Sequence, residues 1–264
     1  MFDVIGEKTN ASRELIREVV SKRNQDYIVD DVKKQILAGV NFIYVNADAR
    51  IGHELEDMKW LLEIIQPIAT IPLCLDSSEF KVLEMAYDMA NNPPIINYIS
   101  LEKDRFKKMM SFLKGKTCKI IASCMDDEGI PISSYDIITR AQKLIKALED
   151  LGMKQSDIYV DPLVQSINVD TSNGTMVLNA VRQIKLHHPN IHIIADFSNI
   201  SDGLPERKVI NRIFIALMME VGMDSAILNP LDIKTMAHIK IADMLLGKDD
   251  FCMNFLRSVR SGTI

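Results

Sequence analysis

The sequence predicts an α/β fold, a single-domain (β/α)8 TIM barrel, and three observations predict it. Eight short apolar runs of β type recur along the chain, and segments of helical period separate them. The length of 264 residues suits an eight-fold unit of roughly 250 residues. Strands buried on both faces of a parallel sheet read as such short apolar runs, each closed by polar or turn-forming residues.

The first run, Asp3 to Gly6, leads into Gly6-Glu-Lys-Thr-Asn10. That loop is not the G-x-G-x-x-G that opens a helix in a doubly wound sheet, the competing architecture. The next four runs are Phe42 to Val45, Ile71 to Leu75, Ile95 to Ile99 and Lys119 to Ala122. A helix follows from Ser134 to Asp150, where Ile137, Ile138, Ala141, Leu144, Ile145 and Leu148 share one face. Ser133 and Ser134 offer N-cap hydroxyls, and Asp136 puts an early negative charge where the helix dipole favours it. The last three runs are Asp157 to Val160, His192 to Ala195 and Ser225 to Leu228. Between the last two, Val209, Ile210, Ile213, Phe214, Leu217, Met218 and Val221 recur at three- and four-residue steps. They predict one apolar helix face over 206–221. Gly39, Gly152 and Gly222 each fall between a helical run and a strand, where a left-handed C-cap is needed. No Pro/Gly/Ser-rich linker interrupts the series, so residues 1–264 are expected to form one domain. In the tail from Gly247 to Ile264, Phe251, Met253, Phe255 and Leu256 predict an extension that packs as a ninth helix or at a subunit contact.

Composition bounds the function classes. The chain is 47% hydrophobic and 25% charged, enough for a sizeable core, and its net charge of -5 speaks against a nucleic-acid partner. The four cysteines, Cys74, Cys118, Cys124 and Cys252, form no C-x-x-C pair. A reduced, cytoplasmic protein is the expectation. The opening Met1-Phe-Asp-Val-Ile-Gly-Glu-Lys lacks the basic and apolar regions of a signal peptide. Apolar stretches fall short of the ~20 residues that span a bilayer, so no membrane association is expected.

In such a barrel, chemistry collects at the carboxyl ends of the strands. The residues there are Glu7, Asn10, Asn46, Asp48, Asp76, Ser77, Asn97, Ser123, Asp161, Ser198, Asn199, Asn229 and Asp232. Asn and Asp dominate. Zinc needs three or four converging His, Cys or carboxylate ligands, whereas His53, His187, His188 and His238 read as helical or helix-terminal. No metal is expected. No G-x-S-x-G elbow appears, and glycine-rich phosphate loops after strands seven and eight are missing. Carboxylates and amides suit a neutral planar heterocycle with donors and acceptors on its edges, such as a pterin. Each such residue taken alone serves equally well as a helix cap or turn closure; six or more on one rim favour a ligand.

Ile5-Gly-Glu-Lys-Thr-Asn10, Pro72-Leu-Cys-Leu-Asp-Ser77, Asp161-Pro-Leu-Val164, Phe197-Ser-Asn-Ile-Ser201 with Gly203-Leu-Pro205, and Asn211-Arg-Ile-Phe214 together resemble the pterin-binding methyltransferases. Within that group the chain is similar to methyltetrahydrofolate:corrinoid-protein methyltransferases. The folate module of cobalamin-dependent methionine synthase and dihydropteroate synthase are more distant likenesses. The resemblance implies a homodimeric barrel that binds tetrahydrofolate or methyltetrahydrofolate at its mouth. It implies that Asp76, Asn97 and Asp161 bond the pterin ring, with Asn10 and Asn46 near the rim. The Ser198–Asn199 pair would lie by the ring, with Asn199 at N5, the methyl-bearing atom. Asn199 would stabilise positive charge developing at N5, and the N5 proton would come from solvent. The cobalamin would arrive on a corrinoid protein, because no D-x-H-x-x-G signature is present; either transfer direction is open. A dihydropteroate synthase-like activity or a non-catalytic folate-binding barrel are the alternatives. One departure stands out: Asp196-Phe197 occupies the place of the family's usual Gly-Leu, beside the N5 position.

Overall fold

The computed structural model describes residues 2–48, 50 and 52–262. Eight parallel strands close in chain order into a barrel: β1 (Asp3–Gly6), β2 (Phe42–Asn46), β3 (Leu73–Asp76), β4 (Ile95–Ile99), β5 (Lys119–Ser123), β6 (Ile158–Asp161), β7 (His192–Ala195) and β8 (Ser225–Leu228). The expected fold class is borne out. β1, β4, β7 and β8 have the bounds read from the sequence, and β2, β5 and β6 differ from it by one residue at one or both ends. The third moves further: Ile71 and Pro72 drop out of it, and Pro72 serves β2 only through its carbonyl, which accepts from the Ile43 amide at 3.2 Å. Proline has no N–H for a central ladder.

The connection from β1 to β2 carries two helices, α1 (Glu14–Ser21) and α2 (Gln25–Leu37). The others are α3 (Glu54–Ile65), α4 (Phe80–Met89), α5 (Lys103–Leu113), α6 (Ser134–Asp150), α7 (Asn173–His187), α8 (Arg207–Glu220), α9 (Ile233–Leu245) and α10 (Met253–Arg260). The α6 N-cap forms as read, with the Ser133 side chain accepting from the Asp136 amide. Gly39, Gly152 and Gly222 have φ of 87°, 94° and 115°, the left-handed C-cap values that a side chain resists. The tail is helical: Asp249 accepts from the Asn254 and Phe255 amides at the start of α10, which packs on α9.

Helix α8 departs from the sequence reading. Phe214, Ile215, Met218 and Met219 are buried, but Val209, Ile213 and Leu217 are 50, 60 and 48% exposed. The helix has two apolar faces, and only one meets the barrel.

The core has two parts. One lies between the strands and the helices. The other fills the barrel interior: Ile5, Phe42, Tyr44, Cys74, Ile95, Ile121, Tyr159 and Ile194, with Tyr98 and Ile227 packed against it. Side chains of a strand alternate between faces, so the residue two steps beyond an interior one also faces the barrel axis. That rule sets the mouth. Ile5 is followed by Glu7, Tyr44 by Asn46, Cys74 by Asp76, Ile95 by Asn97, Ile121 by Ser123, Tyr159 by Asp161, Ile194 by Asp196 and Ile227 by Asn229. Below, the Tyr159 hydroxyl donates to Asp3 at 2.9 Å and its ring stacks on His192 at 4.4 Å, closing the opposite end.

Candidate functional site

The mouth is a polar ring standing on an apolar plug. Strand register lays Asn46 beside Asp76, Asp76 beside Asn97, and Ser123 beside Asp161. The Asp76 carboxylate accepts from Asn46 Nδ2 at 2.7 Å and from the Tyr44 hydroxyl, with Asn97 in hydrogen-bonding reach of both Asp76 and Tyr44. Burial pushes the Asp76 carboxyl up, while Tyr44, Asn46, Arg105 and Asn97 hold it down. Two of its neighbours escaped the sequence reading. Tyr44 sits inside an apolar run, and only its place two residues before Asn46 marks it as facing the axis. Arg105 belongs to α5; its guanidinium lies 4.0 Å over the Tyr98 ring and donates to the Tyr98 carbonyl. Nothing in its helical context signals that role.

On the other side, Asp161 ends β6, and its carboxylate accepts from the Leu163 amide at 2.9 Å. Leu163 has φ of 61°, left-handed backbone at a residue with a branched side chain. Such strain, on the order of 1–2 kcal/mol, folds the chain back over the carboxylate. Burial drives the Asp161 carboxyl up to about 7; the Leu163 amide works against the rise and the nearby charge of Asp196 adds to it. Glu7 is likewise raised by burial, with Arg13 opposing and Asp196 contributing.

Ser198 and Asn199 lie on a 3-10 turn, Phe197–Ser201, directly after β7. Asp196 starts this turn, and its Oδ1 accepts from the Ser198 amide at 3.1 Å and the Ser198 hydroxyl at 2.6 Å. Among the described residues, the Asn199 side chain makes no hydrogen bond and caps no helix; the N-cap of α8 is Glu206, with no side-chain cap bond. Asn10 is drawn away from the ring. It bridges Asn46 through the backbone, but its side-chain oxygen is closed on Ser12. Asn229 is also turned inward on its own loop, accepting from the Leu231 amide.

A cavity of about 130 Å³ opens between β7, β8 and α8, lined by Glu7, Asp196, Ser198, Lys208, Asn211 and Asn229 among others. Among the described residues no group of three or more His, Cys, Asp or Glu is disposed to hold a metal, and no helix is long and apolar enough to cross a membrane. The ring offers acceptors, Asp76 at the end of β3 and Asp161 at the end of β6, above an apolar plug. Amides lie between them. Such a site can bind a planar ring by its edges and stabilise charge that develops on a ring nitrogen.

The sequence model of the family described as pterin binding enzyme matches residues 6–229. The methylcorrinoid:tetrahydrofolate methyltransferase of Eubacterium limosum is 29% identical over 263 residues, covering 99% of this chain and 97% of that protein. Methionine synthase of Mycobacterium tuberculosis is 28% identical over 249 residues, covering 89% of this chain but 21% of that protein. The chain therefore spans about a fifth of the methionine synthase. Among solved structures, a dihydropteroate synthase of Coxiella burnetii in complex with pteroic acid superposes with a TM-score of 0.67 at 14% identity, covering 91% of this chain and 92% of that one. A dihydropteroate synthase of Vibrio fischeri gives 0.68, also at 14% identity, over 93% of both chains. At that identity the likeness is one of fold.

Proposed function

The chain belongs to the pterin-binding enzyme family, and from that premise we propose that it is a methyltransferase moving the N5 methyl group between methyltetrahydrofolate and the cobalamin of a corrinoid protein. The observation that carries this reading is the ring of Asp and Asn residues on an apolar plug, within a chain that aligns end to end with a methylcorrinoid:tetrahydrofolate methyltransferase.

In this reading Asp161 and Asp76 accept hydrogen bonds from the pterin N–H groups. Asn97 completes the edge, and Asn46 orients Asp76. Asn199, whose amide is free of other bonds, strengthens its contact with N5 as positive charge develops there. That interaction lowers the barrier because it is stronger in the transition state than in the bound substrate. Ser198 holds the turn on which Asn199 rides, and Asn10 shapes the rim without touching the ring. Methyl transfer passes through the open mouth, so the corrinoid arrives as part of a partner protein that docks over it. The second apolar face of α8 is the contact of a homodimer, the site needs no metal, and the protein works in the cytoplasm. Residues 1–264 act as one folate-binding barrel with 247–264 as its extension.

Stopped-flow mixing with methylcob(III)alamin and tetrahydrofolate tests the reading, with cob(I)alamin and methyltetrahydrofolate as the expected products. Tight folate binding without turnover would instead make the protein a folate store.

A further inference from the structure

We propose that Asp196 is the proton acceptor and donor for N5 of the folate during methyl transfer, a role that rests on the methyltransferase reading above. Asp196 follows the last residue of β7 and continues, by strand alternation, the inward series of Ile194. It lines the 130 Å³ cavity beside Ser198. It also starts the 3-10 turn that carries Ser198 and Asn199, the Asn199 backbone N–H donating to the Asp196 carbonyl. One turn thus fixes the carboxylate and the amide assigned to N5 together.

The carboxylate has an oxygen to spare. Both Ser198 bonds fall on Oδ1, and among the described residues no hydrogen bond reaches Oδ2. The other two carboxylates lining the cavity are committed: Glu7 to Arg13, and Asp232 to Arg212 and the start of α9. Asp161 faces Asp196 from the end of β6, close enough for their charges to interact. From α8, Lys208 lines the same cavity, while Arg207 donates to the Ser198 carbonyl and pairs with Asp202. The cavity has room for water, since one molecule needs about 10–15 Å³ of such volume.

The chemistry balances. When folate is methylated, the N5 lone pair forms the new C–N bond while the cobalt–carbon bond breaks and leaves its electron pair on cobalt. N5 then carries both the methyl group and its original proton. Asp196 takes that proton, directly or through one water, and neutral methyltetrahydrofolate results. In the other direction protonated Asp196 gives its proton to N5, so that a neutral amine departs as Co(I) takes the methyl group. A glycine here, as in the pattern the chain otherwise resembles, leaves that proton to solvent.

Single-turnover stopped flow with methylcob(III)alamin and saturating tetrahydrofolate, run from acid to alkaline pH, is the test. Asp196→Asn keeps an oxygen for the Ser198 donors, so the turn survives. We expect transfer slowed by about 10²–10⁴-fold, folate affinity held within about threefold, and the loss of one limb of the pH–rate profile. Asp196→Gly is expected to regain rate in proportion to added formate, to which the wild type is indifferent. A wild-type rate and profile in Asp196→Asn overturns the proposal. So does a slow variant whose folate affinity falls in parallel and which no carboxylate rescues. If the wild type itself transfers no methyl group, the methyltransferase reading falls and this proposal with it.

Discussion

Asp161 is the residue on which ligand binding and stability pull hardest against each other. Its carboxyl, pushed up to about 7 by burial, is largely protonated at pH 6, yet the proposed pterin contact needs the carboxylate. Folate binding is therefore expected to tighten about tenfold between pH 6 and pH 8, because affinity scales with the competent fraction. Isothermal titration across that range measures it, and Asp161→Asn should flatten the profile while weakening binding by roughly 1–3 kcal/mol. The stability sign is opposite. The folded state holds a proton that the unfolded chain releases near 3.9, so this group's contribution to stability falls as pH rises from about 4 to about 7. Asp161→Asn removes that loss, and at pH 8 its melting temperature should exceed the wild type's by a few degrees. Asn199 makes the complementary case. With its side chain unbonded to the fold, Asn199→Ala should leave the melting temperature unchanged. Single-turnover transfer should slow by a barrier increase of ~2.7–4 kcal/mol, the scale of one lost charge-stabilising donor. A lower melting temperature with a normal rate would assign Asn199 to structure.

At the scale of elements, the first β–α connection shows how the rim is held. A Cβ at Gly6 would sit 2.3 Å from Gln35 Oε1 of α2. That side chain cannot swing away cheaply, since it is buried and bonded to the Lys8 amide, Thr9 and Asp31. Gly6→Ala is expected to cost about 1–3 kcal/mol by overpacking and to loosen Glu7 through Asn10; a urea titration read by circular dichroism checks it. The same comparison explains what could be read in advance. Asp76 and Asp161 were legible as mouth residues because each is the polar residue that closes a short, continuous apolar strand. The Tyr44 hydroxyl on Asp76 was not, because an aromatic within an apolar run reads as core, and it is core apart from one atom. Arg105 reads as a solvated residue of an amphipathic helix, and its reach to Tyr98 depends on a packing angle that no local pattern encodes. On α8, Val209, Ile213 and Leu217 join the same periodic series as Ile210, Phe214 and Met218. Periodicity finds apolar residues but cannot say which of two apolar faces meets the barrel.

That second face matters for the whole molecule. Val209, Ile213 and Leu217 stand four residues apart, the spacing of one helix stripe, and Ile233 and Leu245 of the next helix are 59 and 75% exposed. Burying one such side chain is worth roughly 1.5–3 kcal/mol, so leaving a row of them in water is costly unless another surface covers it. The proposed homodimer supplies that surface, and a two-fold contact brings each stripe against its own copy, doubling the effect of any one substitution. Ile213→Glu would then bury two like charges at the centre of the interface. It is expected to convert dimer to monomer in sedimentation-velocity experiments at micromolar concentration, with the circular dichroism spectrum unchanged because Ile213 does not pack in the barrel. Folate affinity should stay near the wild-type value, since α8 turns this face away from the mouth that Lys208 and Asn211 line. A dimer that survives Ile213→Glu intact would place the subunit contact elsewhere, with the exposed Phe251 and Met253 at the chain's end as the next apolar surface to test.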